Sequence, residues 1–266
     1  MVGYSRAMNL KDQVIVVTGG ASGIGKAMCE RFAGEEPRAL WVVDRDAAGA
    51  EKVAAAVGGR ARAVDVRHET EIAELVGAVE AENGRVDLFC SNAGVAIGGD
   101  ENAPDADWQI AWEVNFMAHV YAARAVLPGM LARGGGTLLQ TCSAAGLLTN
   151  IGAAPYAVTK HAAVAFAEWL SVTYRERGLR VSILCPMGVA TPMLLGGESD
   201  PATRSVAMAG KVLSPSEVAE TVVAGLAAEK FWILPHPEVA RFVQHKAGDV
   251  DGWLAAMAKF RAKVLA

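Results

Sequence analysis

Gln13-Val-Ile-Val-Val-Thr-Gly-Gly-Ala-Ser-Gly-Ile-Gly25 decides the fold. Its first half is a β-branched run with no polar alternation. That is the pattern of a strand buried on both faces of a parallel sheet. Its second half carries Gly19, Gly23 and Gly25 and runs into Ile24, Ala27, Met28 and Phe32, spaced for one face of a helix. Glycine at such a turn lets backbone N–H groups approach a pyrophosphate at the positive end of the helix. A bare glycine cluster is often only a turn, but this one has a strand before it and a helix after it. Its spacing, G-x-x-x-G-x-G, differs from the G-x-G-x-x-G of the common dinucleotide fingerprint.

The same alternation continues outward. Apolar runs at 13–18, 39–44, 61–65, 86–90, 136–142, 179–185 and 231–234 read as strands. Helical patterns fill 24–34, 47–57, 69–83, 105–131, 155–177 and 215–228, with a closing helical segment over 237–264. Pro128-Gly129 is a candidate interruption, and Pro155 suits a first helical turn. Strand–helix alternation over the whole length predicts an α/β fold: a doubly wound parallel sheet of about seven strands with helices on both faces. No repeat or linker divides the chain, so one domain is expected. Residues from about 12 to 150 would serve mainly the nucleotide and those from about 140 to 266 the chemistry.

Composition bounds the rest. The chain has 266 residues, is 52% hydrophobic and has a net charge of -4, which argues against a nucleic-acid surface. No apolar run reaches the roughly 18 residues a membrane helix needs. The first residues carry Arg6 but no apolar signal core, so a cytoplasmic protein is expected. Cys29, Cys90, Cys142 and Cys185 form no C-x-x-C pair and read as small buried apolar residues. His68, His119, His161, His236 and His245 have no ligand spacing, so no metal is expected. His161 reads as structural and His119 as a packing or interface residue.

Tyr156-Ala-Val-Thr-Lys160 places a phenol and an ammonium one turn apart on a helix face. A free phenol has a pKa of about 10, and a nearby ammonium stabilises the phenolate. A tyrosine tuned this way passes protons to and from an alcohol oxygen. Taken alone, the pair is as well explained by an aromatic ring packed under a lysine stem. Its company gives it weight: Ser143 ends an apolar run upstream, and the glycine turn opens the chain. Asp44 closes the second strand. A carboxylate there can bond both ribose hydroxyls of NAD and repel the 2′-phosphate of NADP. Asp44 also suits a helix N-cap, and Arg45 beside it suits a 2′-phosphate. Ser22, not a basic residue, occupies the glycine turn, which favours NAD over NADP.

These motifs together resemble the short-chain dehydrogenase/reductase family over nearly the whole length, which implies a Rossmann-like domain. The resemblance implies that Gly19, Ser22, Gly23, Ile24 and Gly25 form the cofactor turn. It implies that Asp65 and Val66 meet the adenine, and that Asn92, Ala93 and Gly94 lie by the adenine ribose. Asn115, Ser143, Tyr156 and Lys160 match the family's catalytic tetrad. Tyr156 would be the acid/base, Ser143 would hold the substrate oxygen, and Lys160 would lower the Tyr156 pKa and hold the nicotinamide ribose. Asn115 would hold a helix open around a water. Pro186, Gly188, Val189 and Thr191 resemble the stretch that contacts nicotinamide, with Met187 in place of the usual glycine. Read singly, Asn115 is a helix residue satisfying a carbonyl and Ser143 a strand-end cap.

The expected pocket wall of Val95, Ala144, Ala145, Leu147, Met187, Met193 and Leu194 is apolar, which predicts a small-molecule substrate: a neutral hydrophobic secondary alcohol or ketone. Residues 187–208 are a candidate lid. The Tyr156 helix is apolar almost all round, through Ala163, Phe166, Trp169 and Leu170, which predicts a homodimer or homotetramer. Trp253, Leu254, Met257 and Phe260 recur at helical spacing and would cover this pocket or a neighbouring subunit. Three other readings remain: an NADPH-dependent carbonyl reductase, a nucleotide-binding sensor without turnover, and a sugar-nucleotide epimerase, which the glycine spacing disfavours.

Overall fold

The structure, a computed structural model, describes residues 9–196 and 201–266. Arg6 and part of the expected lid, 197–200, lie outside them. Seven strands form one parallel sheet. They are β1 (Val14–Thr18), β2 (Ala39–Asp44), β3 (Arg60–Ala63), β4 (Leu88–Ser91), β5 (Gly136–Thr141), β6 (Leu179–Leu184) and β7 (Trp232–Ile233). Their spatial order is β3-β2-β1-β4-β5-β6-β7. The chain therefore reverses direction of growth between β1 and β4, and a crevice opens there beyond the strand ends.

Helices cover both faces, as the alternation predicts. Val14 and Val16 of β1 join a core with Phe89, Leu138 and Ile183 under α3 (Glu69–Asn83), α5 (Ala118–Ala132) and α6 (Ala154–Tyr174). Ile15 and Val17 point the other way. They pack with Leu88, Leu139 and Leu184 under α1 (Gly23–Ala33), α2 (Ala47–Val57) and α9 (Pro215–Ala227). A strand with helices on both sides has no polar face, so it shows no alternation. Each large side chain buried this way, Phe32 or Phe89 for example, contributes about 1.5–3 kcal/mol.

Several boundaries differ from expectation. β3 stops at Ala63, because the Asp65 amide turns away to donate to Glu71 Oε2 at 2.8 Å. The expected strand over 86–90 begins at Leu88, and the buried Asp87 carboxylate instead accepts from the Val14 amide at 2.8 Å. The helix over 105–131 is α4 (Asp105–Trp112), a π-turn (Glu113–Met117) and α5, which runs through Pro128. Residues 187–213 are not all irregular: they hold α7 (Pro192–Leu195) and α8 (Pro201–Ala209). The closing segment is two helices, α10 (Glu238–Gly248) and α11 (Val250–Leu265). Asp249 parts them and caps α11 through the Gly252 amide at 2.9 Å. Among the described residues, no helix is long and apolar enough to cross a membrane.

Candidate active site

A cleft of about 1080 Å³ runs across the C-terminal ends of β1, β4, β5 and β6. Its floor is knotted by Thr18 and Asn92. The Thr18 hydroxyl accepts from the Asn92 amide at 2.9 Å and the Ala93 amide at 3.2 Å. The Asn92 side chain donates to the Thr18 carbonyl at 3.0 Å and accepts from the Thr141 hydroxyl at 3.0 Å. One asparagine thus ties three strand ends together. The glycine turn lies on this knot. Gly19 has φ +68°, and a Cβ at Gly25 would overlap the Gly19 carbonyl oxygen, so α1 starts in direct contact with the turn.

This end fits a dinucleotide. Ser22 makes no capping bond to α1, and no acid occupies its first turn, so the positive end of the helix opens onto the cleft. Asp44 lines the far side. Its carboxylate accepts from the Ala21 amide and from the Asp46 amide, each at 3.1 Å. The cap of α2 is Asp46, bonded to the Gly49 amide at 3.1 Å, so Asp44 is not the N-cap. Arg45 lies exposed at the rim. Asp65 and Val66 also line the cleft. Arg67 grips the Asp65 carboxylate through Nε at 3.0 Å and Nη2 at 2.6 Å, and this hydrogen bonding holds its pKa below the ordinary aspartate value.

At the other end stand Ser143, Tyr156 and Lys160. Ser143 opens a 3₁₀ turn (Ala144–Gly146), and its Oγ accepts from the Ala145 amide at 3.1 Å. A Cβ at Gly146 would overlap the Lys160 carbonyl, so a glycine there lets the turn rest directly on α6. That contact brings the Ser143 hydroxyl to the Tyr156 phenol. Burial pushes the Tyr156 pKa up, and the Ser143 hydroxyl opposes it. Burial is the larger effect and leaves that pKa above the ordinary tyrosine value. Lys160 was expected to lower it. Its ammonium donates instead to the Thr141 carbonyl at 2.8 Å and lies 5.7 Å from the Tyr156 ring centroid. Burial lowers the Lys160 pKa as well.

Asn115 sits inside the π-turn, fully buried behind the cleft. Its amide meets the Thr159 hydroxyl at 3.3 Å, and Thr159 in turn donates to the Pro155 carbonyl at 2.9 Å. One turn on, His119 is buried with Nδ1 on the Ser91 hydroxyl at 2.8 Å. Burial, and then the Lys160 charge, push its pKa down to about 3, so it is a neutral packing residue as expected. His161 bonds the Ala157 carbonyl of its own helix at 2.8 Å.

Among the remaining expected residues, Ile24, Ala93, Gly94, Pro186, Val189 and Thr191 line the cleft. So do Val95, Ala144, Ala145, Met187, Met193 and Leu194. Gly25 and Gly188 lie beneath the lining. Leu147 is a correction: it packs into the core with Ala163 and Val164, and its neighbour Leu148 faces the cleft. His236 was not singled out. It accepts from the Met187 amide at 3.1 Å on one ring nitrogen and meets the Lys211 carbonyl at 3.0 Å on the other. Trp253, Met257 and Phe260 line this chain's own cleft, with Phe242 and Ile151. The four cysteines are buried and free. Among the described residues, no group of three or more His, Cys, Asp or Glu is placed to hold a metal.

The crevice thus has the glycine turn at one end and the Ser–Tyr–Lys group at the other. The family described as short chain dehydrogenase matches residues 13–200, and the chain belongs to that family. It is an oxidoreductase acting on a hydroxyl or ketone group with a nicotinamide cofactor. It is 33% identical to the 1-deoxy-11-beta-hydroxypentalenate dehydrogenase of Streptomyces avermitilis over 256 residues, 93% of each chain. A short chain dehydrogenase/reductase of Burkholderia phymatum, solved with NAD, is 27% identical. It superposes with a TM-score of 0.83 over 92% of this chain and 96% of its own. A 7 alpha-hydroxysteroid dehydrogenase solved with NADH and 7-oxo glycochenodeoxycholic acid is 26% identical. Its TM-score is 0.76, covering 86% of this chain and 94% of its own.

Proposed function

We propose that this protein is a cytoplasmic, NAD(H)-dependent dehydrogenase that interconverts a neutral, hydrophobic secondary alcohol and its ketone. The observation that carries this reading is the meeting of Ser143, Tyr156 and Lys160 at one end of a cleft whose other end is the glycine turn rimmed by Asp44. The turn and the α1 N-terminus would hold the pyrophosphate, Asp44 the adenosine ribose, and Lys160 the nicotinamide ribose. When bound, the nicotinamide supplies or accepts the hydride. The chain's own residues handle the proton and the geometry. Tyr156 gives a proton to the carbonyl oxygen in reduction and takes it from the alcohol in oxidation. Ser143 holds that oxygen and supports its developing charge. Asn115 and Thr159 keep α6 in register beneath them. Four free cysteines support a reducing compartment.

An assembly of two or four copies is part of the proposal. Trp112, Phe116, Phe166, Trp169 and Tyr174 form a continuous aromatic row across α4, the π-turn and α6. Trp169 is 55% exposed and Val172 beside it 84%. A contiguous apolar face of this kind supports burial against another copy. Sedimentation as a monomer at micromolar concentration would refute it.

The deciding experiment follows NADH formation from NAD over a panel of neutral and charged secondary alcohols, with Tyr156→Phe beside the parent. Turnover in the parent, loss in the variant and unchanged NADH binding are expected. Preference for NADP would favour the second reading, a carbonyl reductase with the exposed Arg45 guanidinium on the 2′-phosphate.

A further inference from the structure

The end of the cleft beyond Tyr156 is walled by a helix pair. Phe242 comes from α10, and Trp253, Met257 and Phe260 from α11. α11 packs against both α10 and α8. Among the described residues lining the cleft, the acids and arginines (Asp44, Arg45, Asp46, Asp65, Arg67) stand at the glycine-turn end, and Lys160 stands with Ser143 and Tyr156. Among the described residues, the helix pair offers the cleft only apolar groups: Phe242, Trp253, Met257 and Phe260.

One cation lies just behind this wall. Lys246 of α10 donates from Nζ to the Leu147 carbonyl at 3.0 Å and to the Leu148 carbonyl at 2.8 Å. The same ammonium stands 5.0 Å from the centroid of the Trp253 ring. An ammonium has three N–H groups. Two are taken by carbonyls, and the indole face draws the remaining charge. Lys246 thus joins three pieces: α10, α11 and the chain just after the turn that Ser143 opens. Leu148 faces the cleft, so the junction touches both the wall and the reacting end. Burial lowers the Lys246 pKa, so the charge is kept at a cost, and the two charge-assisted bonds offset it.

We propose that Lys246 is a positioning residue that locks the α10–α11 pair against the Ser143 turn. The pair then forms a rigid, size-selecting wall that favours bulky, uncharged alcohols and ketones over small ones. The proposal rests on the alcohol–ketone reading above. A wall ordered in advance spares a large substrate the entropy of ordering it on binding. A small ketone held by Ser143 and Tyr156 alone gains nothing from the wall. The lock therefore acts on selectivity and leaves the proton chemistry to Tyr156.

The test compares the full-length parent with Lys246→Met and Lys246→Arg, using trans-1-decalone and cyclohexanone as bulky and small ketones. Binding of each to the NADH-loaded protein is read by calorimetry, turnover by NADH loss, and order in α11 by hydrogen exchange. For Lys246→Met the expected result is decalone affinity and KM weakened about tenfold, with kcat within about twofold. Cyclohexanone and NADH binding should be unchanged, and α11 amides should exchange faster. Lys246→Arg, which keeps a cation and its donors, should recover most of the decalone affinity. Unchanged exchange in α11 would overturn the proposal. So would equal weakening for both ketones, which marks general damage. An inactive parent would sink the alcohol–ketone reading, while exchange and calorimetry would still decide the role of Lys246.

Discussion

The Asn115 side chain and the Val95 main chain are bonded in both directions, with Oδ1 accepting from the Val95 amide and Nδ2 donating to the Val95 carbonyl, each at 2.9 Å. A side chain here does what a neighbouring strand does elsewhere. It satisfies a loop at the cleft edge and anchors it to the π-turn. Asn115→Ala leaves both Val95 groups and the Thr159 hydroxyl without this partner. The expected loss is about 2–3 kcal/mol of stability in urea unfolding, with kcat reduced more than cofactor affinity. Asn115→Ala with parental stability would disprove this account.

Burial raises the Tyr156 pKa, and Ser143 limits the rise. Its hydrogen bond pulls the phenol pKa down against the upward push of burial. Under the proposed acid/base role, alcohol oxidation needs the phenolate, and its rate should rise with pH toward the Tyr156 pKa. Removing the hydrogen bond in Ser143→Ala raises that pKa. The rising limb of kcat/KM for oxidation should move to higher pH, and the falling limb for ketone reduction should move the same way. A displacement to lower pH would contradict the assignment.

Glu217 gives a separate, structural pH signal. It closes a capping box with Ser214 at the start of α9 and pairs with Lys211 at 2.8 Å. The Lys211 bond first, then the Ser214 amide and hydroxyl, bring its pKa down to about 2 from 4.5. A depressed carboxyl stabilises the fold above its unfolded pKa and loses that effect as pH falls through the folded value. Glu217→Gln should therefore be less stable than the parent near neutrality. The gap should close between about pH 4.5 and 2, as read by thermal melting.

Two glycines on exposed and buried helix positions should respond with opposite signs. Gly77 lies exposed inside α3, and a Cβ there meets nothing within 4 Å. Gly77→Ala should raise stability by about 0.5–1 kcal/mol, since alanine loses less backbone entropy in a helix. Gly25→Ala drives a methyl into the Gly19 carbonyl and should lower stability and weaken NADH binding together. Equal melting temperatures for both variants would be inconsistent with the packing described.

Asp44 should control cofactor choice. Asp44→Asn keeps an acceptor for the Ala21 amide but removes the charge facing a 2′-phosphate. NADPH affinity should improve about tenfold relative to NADH, compared by titration. Adding Arg45→Ala should reverse the gain. An unchanged ratio in Asp44→Asn would show that the carboxylate is not the discriminator.

The parts legible in the sequence were those whose cause is local. Val14 to Val17 announce a strand covered on both faces because every side chain there meets a helix. The glycine turn is legible because the Gly19–Gly25 contact that demands glycine lies within a few residues. Other features depend on distant partners. Lys246 reads as an ordinary helix lysine until the Leu147 and Leu148 carbonyls are beside it. The direction of the Tyr156 pKa follows from burial, which the Tyr–Lys spacing does not reveal. Leu148 stands at the wall where Leu147 was expected, and no periodic pattern in the sequence tells the two apart. Asp249 carried a cap signal that the apolar spacing of the closing segment concealed.

The strand order also bears on how the chain is made. β1 emerges before the other strands and ends inside the sheet, with β2 and β3 adding on one of its sides as they emerge. Its other edge waits for β4, where Ile15 finds Leu88. During that interval a largely apolar strand keeps an open row of N–H and C=O groups, the arrangement that recruits a second nascent chain. Slow translation before β4 would lengthen the exposure. Yield of this protein should therefore depend on codon speed across α3 more than on substitutions at the finished surface.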